Sequence, residues 1–134
     1  MYLLDTDTVI YGLKGVPAVM RNLEARASSP KALSVITYGE LVYRAMESGR
    51  ATENLARVRR TAELFPVIDV SPAIMETFGS LKAELGSKGK GVDDFDLVIA
   101  STALALNYTL VTNNEKHFRR VPGLAVENWS RAQG

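Results

Sequence analysis

Short apolar runs recur along this chain, and each is separated from the next by a stretch with helical spacing. The runs are Tyr2–Leu4, Leu33–Ile36, Val67–Val70, Thr109–Val111 and Leu124–Val126. Apolar runs this short, set between helices, predict strands of a parallel sheet covered on both faces. Parallel neighbours cannot be joined by a tight hairpin, so the intervening segments must be crossovers. Their patterns agree. Thr6–Leu13 reads as a helix closing at Gly15, and Pro17–Arg26 places Val19, Met20, Leu23 and Ala27 at helical spacing. A further helix begins at Thr37, another spans Thr52–Leu64 and stops at Pro66, and Ser71-Pro72 is an N-cap followed by proline at the first helical position. A loop, Gly86–Gly91, precedes a helix over Asp93–Ala105. The expectation is an α/β, doubly wound fold: a parallel β-sheet flanked by α-helices on both faces.

The chain has 134 residues, which suits a single domain over 1–134. It has no cysteine, which excludes a zinc ribbon, a thiol nucleophile and a disulfide framework. Sixteen basic and fifteen acidic residues leave a net charge of +1, so no global field draws it to nucleic acid or membrane. Polyanion binding must come from local clusters. The first residues lack a basic region and a long apolar stretch, and no run approaches the ~20 residues a membrane span needs. A cytoplasmic protein with no membrane contact is expected.

In an open α/β sheet, ligands bind beyond the carboxyl ends of the strands. Asp5 directly follows the first run, and Glu40 lies about one helical turn beyond the second. Asp93, Asp94 and Asp96 open the helix after the lysine-glycine loop, and Thr112, Asn113, Asn114 and Glu115 follow the run Thr109–Val111. Each acid has a capping role open to it. Thr37-x-x-Glu40, Asp93-x-x-Asp96 and Thr112-x-x-Glu115 all match capping boxes or variants of one, and Asp5 or Asp7 can cap the first helix. Capping explains each acid alone but not their convergence on one edge. Several carboxylates within a few ångströms repel, and one is forced to hold a proton unless a divalent cation neutralises them. Such an ion lowers the pKa of a bound water and steadies an in-line phosphoryl displacement. The residues therefore point to metal-dependent phosphoryl transfer, with Asp5, Glu40 and Asp96 as the centre and Asp93 or Asn114 as outer partners. Asp96 is preferred to Asp94, which is rotated from it by roughly 200° measured along the helix from the core-facing side. Phe95, Ile99, Thr102 and Leu106 are expected to form the apolar stripe of that helix.

With these residues in view, the chain resembles the PIN-domain ribonucleases, and closely the VapC toxins of type II toxin–antitoxin pairs. The resemblance rests on Leu3-Leu4-Asp5-Thr6-Asp7, Ser34-Val35-Ile36-Thr37-Tyr38-Gly39-Glu40-Leu41, Asp96-Leu97-Val98-Ile99-Ala100, Leu110-Val111-Thr112-Asn113-Asn114, and Arg120-Val121-Pro122-Gly123-Leu124 with Glu127-Asn128-Trp129. It implies one PIN domain and an endoribonuclease dependent on Mg²⁺ or Mn²⁺, with metal ligation by Asp5, Glu40 and Asp96. It also implies structured RNA such as tRNA as substrate, a homodimer, and inhibition by a cognate VapB-type antitoxin whose tail enters the active-site groove. Two positions depart from the family. Asp7 stands where these toxins often carry asparagine, and Asn113-Asn114 stands where many PIN domains carry a further acid.

Thr6, Asp7 and Thr112 are expected to orient ligands from behind the acids. Lys88 and Lys90, in the loop before Asp93, are the first choice for RNA phosphates, and Arg119 and Arg120 the second. Arg57, Arg59 and Arg60 read as a solvated helix face, and the single His117 as a surface residue. Tyr43, Met46, Phe65 and Phe78 either line a groove for an antitoxin tail or belong to the core. Two other readings compete. One is a haloacid-dehalogenase-like phosphatase using Asp5 and Asp7. The other is a catalytically silent PIN-like module that only binds its partner.

Overall fold

The computed structural model describes residues 1–131. Its elements run β1 (Tyr2–Leu4), α1 (Thr6–Leu13), α2 (Pro17–Ala25), β2 (Lys31–Ser34), α3 (Val35–Glu47), α4 (Ala51–Leu64), β3 (Val67–Ile68), α5 (Pro72–Ser87), α6 (Asp94–Leu106), β4 (Thr109–Val111), α7 (Glu115–Phe118) and β5 (Val126–Glu127). The five strands form one parallel sheet in the order β3-β2-β1-β4-β5. The chain winds outward from β1 through β2 to β3, then returns to build β4 and β5 on the other side. The winding direction therefore reverses at the β1–β4 pair, where doubly wound sheets open a crevice at their carboxyl edge.

Successive residues of β1 serve opposite faces. Leu3 packs with Ala32, Leu110, Leu81, Leu85 and Ile99 under α5 and α6. Leu4 packs with Leu33, Val111, Val9, Leu41 and Trp129 under α1, α3 and α4. Both faces of the central strands are buried, which is why Leu3-Leu4 and Leu110-Val111 are apolar in succession. Trp129 closes the second core. Its indole Nε1 donates to Glu127 Oε1 at 3.0 Å, its ring meets Tyr2 edge-on at 5.0 Å, and the Arg26 guanidinium lies over it at 5.0 Å. Among the described residues no helix is long and apolar enough to cross a membrane.

Several boundaries differ from expectation, and the differences have causes. The second strand ends at Ser34, not Ile36. Ser34 Oγ accepts the Ile36 N–H at 3.0 Å and turns the chain directly into α3. Val35 and Ile36 are thus helical, and Thr37 lies inside the first turn rather than capping it, so the Thr37–Glu40 capping box does not form. Helix α5 continues through Gly86 and Ser87, which shortens the expected loop. Asp93 occupies the N-cap of α6 without a side-chain cap hydrogen bond. The expected stripe of α6 is also wrong at its ends: Phe95 is 57% exposed and Leu106 40%, while every residue from Leu97 to Ala103 is buried. This helix is enclosed on all sides through its middle. Ser101 and Thr102 tolerate that burial because their hydroxyls donate to the Leu97 and Val98 carbonyls at 2.6 and 2.8 Å.

Candidate active site

The carboxyl edge of the sheet presents three strand ends side by side: Asp5 after β1, Ser34 at the end of β2 and Thr112 after β4. Asp5 is the N-cap of α1 and only 7% exposed. Both of its carboxylate oxygens are held. Oδ1 accepts the Thr6 N–H at 2.8 Å, and Oδ2 accepts the Thr112 hydroxyl at 2.8 Å. The Thr112 hydroxyl is itself aimed by the Asn114 N–H, which donates to it at 3.0 Å. That bond replaces the expected Thr112–Glu115 capping box. Buried Glu115 instead accepts from Arg119, Arg131 and Asn128.

Thr6 ties a second acid to the first. Its hydroxyl donates to Glu40 Oε1 at 2.6 Å, and the Thr37 hydroxyl lies 3.1 Å away. One hydroxyl has one proton, so the shorter contact takes it and Thr37 serves as donor to Thr6. The helix start at Val35 makes this possible: it sets the fully buried Thr37 and Glu40 one turn apart on the side of α3 that faces α1. Asp7 stands on the other flank. It accepts the Asn113 N–H at 3.1 Å and the Thr8 hydroxyl at 3.2 Å.

Asp96 is half-buried, and His117 Nε2 lies 3.2 Å from its Oδ2. The contact sets the imidazole beside the carboxylate without reaching hydrogen-bond geometry. His117 is not the surface residue its sequence context suggests. The four-residue helix α7 turns it inward against the acids. Asp94, by contrast, is exposed and pairs with Lys82 at 3.0 Å, which leaves Asp96 as the acid of α6 that faces the site.

The electrostatics of the group are those of unneutralised charge. Burial, reinforced by the neighbouring Asp7 charge, pushes the Asp5 carboxyl up to about 7 against the hydrogen bonds from Thr112 and Thr6; Asp96 adds a smaller push. Burial also raises Asp7, partly offset by the Asn113 N–H. Asp96 is raised by burial, with His117 opposing and Asp93 and Glu40 adding to the rise. Asp5 thus feels the charges of Asp7 and Asp96, and Asp96 feels those of Asp93 and Glu40. The raised carboxyls of Asp5, Asp7 and Asp96 offer hard oxygen donors of the kind a divalent cation such as Mg²⁺ stabilises in their ionised form. Among the described residues, however, no three acidic or histidine side chains close on one point as a direct cage.

The remaining expected site residues fall in different places. Asp93 is exposed and reaches the pocket through its charge on Asp96. Asn114 is the N-cap of α7 and acts through its backbone on Thr112, not through a side chain on the acids. Lys88 pairs with Glu84 at 3.2 Å along α5. Lys90, Arg119 and Arg120 line one cleft, together with Lys116, which sequence reasoning passed over. Thr37, Asn113 and His117 were also missed as members of the site. The Thr37–Glu40 spacing was a usable signal, but it reads equally well as a cap.

The chain matches the family model "PIN domain" over residues 2–124. It is 37% identical over 133 residues to Ribonuclease VapC2 of Rickettsia felis, covering 98% of this chain and 99% of that protein. It is 34% identical to the tRNA(fMet)-specific endonuclease VapC of Shigella flexneri, covering 96% and 98% respectively. A crystal structure of VapBC2 from Rickettsia felis, bound to a DNA fragment from its promoter, superposes with a TM-score of 0.89 at 37% identity, over 96% of this chain and 98% of that one.

Proposed function

The chain belongs to the PIN-domain family, and from that premise we propose that it is a VapC-type endoribonuclease: a toxin that cleaves structured RNA such as tRNA and is restrained by a cognate VapB-type antitoxin. The observation that carries this reading is the link between acids at the carboxyl ends of the strands: buried Asp5 accepts from the Thr6 N–H and the Thr112 hydroxyl, and the Thr6 hydroxyl donates to Glu40. Asp5, Glu40 and Asp96 are the residues that would hold Mg²⁺ or Mn²⁺. When bound, the ion neutralises charge building on the scissile phosphate and supplies a water of lowered pKa.

The protein's own groups prepare that site. Thr112 and the Thr6 N–H fix the Asp5 carboxylate so that ionising it costs no reorientation. Thr6 holds the Glu40 carboxylate against the same pocket across the α1–α3 boundary. His117 sets its imidazole beside Asp96. Asp7 adds negative charge where the family often has a neutral amide.

An apolar cleft of about 520 Å³, lined by Val35, Ile36, Gly39, Glu40, Tyr43 and Phe95, opens directly beside Glu40. The antitoxin tail enters there, alongside exposed Tyr43 and Met46. Phe65 and Phe78 pack against the two cores and take no part. The toxin acts as a homodimer in the cytoplasm, with residues 1–134 as its PIN domain. A haloacid-dehalogenase-like phosphatase would leave Glu40 and Asp96 without a role, and membership of the PIN family removes that reading.

The deciding test is cleavage of purified tRNA by the isolated protein. Cleavage is expected with Mg²⁺ or Mn²⁺, is abolished by chelator and returns when the ion is restored. Binding without cleavage under either ion would instead make the chain a silent PIN-like module. Thr6→Val provides a finer check. It removes the bond to Glu40 while leaving the cap N–H of residue 6 in place, so cleavage falls by about 10–100-fold, the usual effect of losing a residue that orients a metal ligand. The fold, followed by circular dichroism, is unchanged. An unaltered rate would release Glu40 from its assigned role.

A further inference from the structure

The acid pocket poses a problem for its own substrate. Asp5, Asp7, Glu40, Asp93 and Asp96 all face or influence the place where a phosphodiester must sit, and a net charge of +1 gives no long-range attraction to offset them. A local concentration of cations is needed, and the fold builds one next door. Lys90, Lys116, Arg119 and Arg120 surround an open cleft of about 390 Å³ between the segment after α5 and the short helix α7. Among the described residues no carboxylate pairs with Lys90, Lys116 or Arg120. Arg119 shares one nitrogen with Glu115 at 3.2 Å, but Arg131 holds the other oxygen of that carboxylate at 2.7 Å, so part of the Arg119 fork remains free.

The two walls are tied together and tied to the site. Arg120 Nη1 donates to the Gly91 carbonyl at 3.2 Å, linking α7 to the loop. Gly89 adopts φ +66, a left-handed conformation that turns the loop just before Lys90. The loop then runs directly into Asp93 and α6, which carries Asp96. On the opposite wall, Lys116 and His117 are consecutive and diverge by roughly 100° around α7. His117 faces Asp96, while Lys116 faces the cleft with Arg119 one turn on.

We infer that this cleft binds a second backbone phosphate of the RNA strand, next to but separate from the phosphate presented to the acids. The inference rests on the endoribonuclease reading for the identity of the polyanion. Lysine ammonium groups and arginine forks are the donors that recognise phosphate oxygens, and they do so without reading sequence. The cleft thus fixes the register of the strand and draws it toward a pocket that would otherwise repel it. Of the four cations expected from sequence to contact RNA, Lys90, Arg119 and Arg120 belong to this cleft and Lys88 does not; Lys116 joins them.

The test uses labelled initiator tRNA and the Asp5→Asn protein as the parent, with affinity measured between about 50 and 200 mM salt. Adding Lys116→Ala with Arg120→Ala should weaken binding and make the slope of log affinity against log salt shallower by about 0.7–0.9 for the phosphate lost. Arg59→Ala with Arg60→Ala, an equal loss of charge on the exposed face of α4, should leave the slope unchanged. An unaltered slope in the cleft variant, an equal flattening by the α4 control, or no tRNA binding by the parent would each overturn the inference. So would loss of antitoxin binding by the cleft variant while its RNA slope held, which would give the cleft to the protein partner. If the cleft variant shows the expected slope change but wild-type protein never cleaves RNA with Mg²⁺ or Mn²⁺, the phosphate site stands and the nuclease reading falls.

Discussion

Replacing Asp5 with asparagine is expected to lower RNA cleavage by about 10²–10³-fold and, in the same protein, to raise the melting temperature measured in chelator. The first effect is the loss of a charge that the transition state needs, and its size is that of removing one well-placed group that stabilises developing charge. The second follows from burial. Asp5 is 7% exposed, and its carboxyl is pushed up to about 7 chiefly by desolvation and then by Asp7, so above neutral pH the folded metal-free protein confines a charge that water would solvate better. Asparagine fits the same place. Its Oδ1 accepts the Thr6 N–H that Asp5 now accepts, and its Nδ2 donates to the Thr112 hydroxyl. That hydroxyl can then turn its proton toward Asp7 Oδ2, 3.5 Å away. Both bonds that Asp5 makes are kept in kind, and one buried charge is gone. Thermal unfolding at pH 8 with chelator should therefore show the variant melting several degrees higher, since 1 kcal/mol is worth about 3–5 °C in a domain of this size. Loss of activity together with a lower melting temperature would make Asp5 a structural cap, and cleavage at the wild-type rate would remove it from the site.

The parts of this molecule that were legible in its sequence are those set by local pattern. The central strands were legible because Leu3 and Leu4, and Leu110 and Val111, are buried on opposite faces, and a strand buried on both sides has no polar alternation. The half-buried edge strands were less so, since β3 stops at Ile68 instead of Val70 and β5 is Val126–Glu127 instead of Leu124–Val126. Asp5 was legible because it directly ends such a run. The start of α3 was not. Val35-Ile36 is β-branched and apolar and reads as more strand, yet the Ser34 hydroxyl on the Ile36 N–H is enough to turn it into helix. That shift of about two residues moves Thr37 from a supposed cap to a buried partner of Thr6.

What joins the site together is long-range and leaves no local trace. Thr6 meets Glu40 across 34 residues, and Thr112 meets Asp5 across 107. Hydroxyls like these have ready local explanations as caps, so a sequence reader assigns them there. His117 was missed for the opposite reason. It has no motif around it, and only the packing of Phe118 into the core under β4 turns its neighbour inward against Asp96. Phe95 misled by composition: an aromatic at helical spacing suggests core, but it sits in the first turn of α6, before the enclosed stretch begins.

The same crowding of acids predicts how stability responds to pH. Asp5 ionises near 3.8 in the unfolded chain and near about 7 when folded, so between those values the folded state holds the extra proton. Stability falls wherever the folded state binds more protons and pH rises, so metal-free protein should lose stability steadily from about pH 4 to 7 and level off above. Asp5 alone accounts for about 4 kcal/mol of that loss, and Asp7 and Asp96, both raised, add to it in the same direction. A divalent cation binds the ionised carboxylates and only the folded chain assembles them, so it stabilises by mass action once they have released their protons. The gain in melting temperature on adding Mg²⁺ should accordingly be small at pH 5 and grow through pH 8, nearly cancelling the slope seen in chelator. Asp5→Asn should show both a flatter pH profile and a smaller response to the ion. Melting curves at several pH values, with chelator and with Mg²⁺, separate this from ordinary acid denaturation, which has the opposite slope. A metal-free protein that grows more stable as pH rises from 5 to 7 would mean that the pocket does not hold its acids at the expense of the fold, and that no ion is needed to make their proximity tolerable.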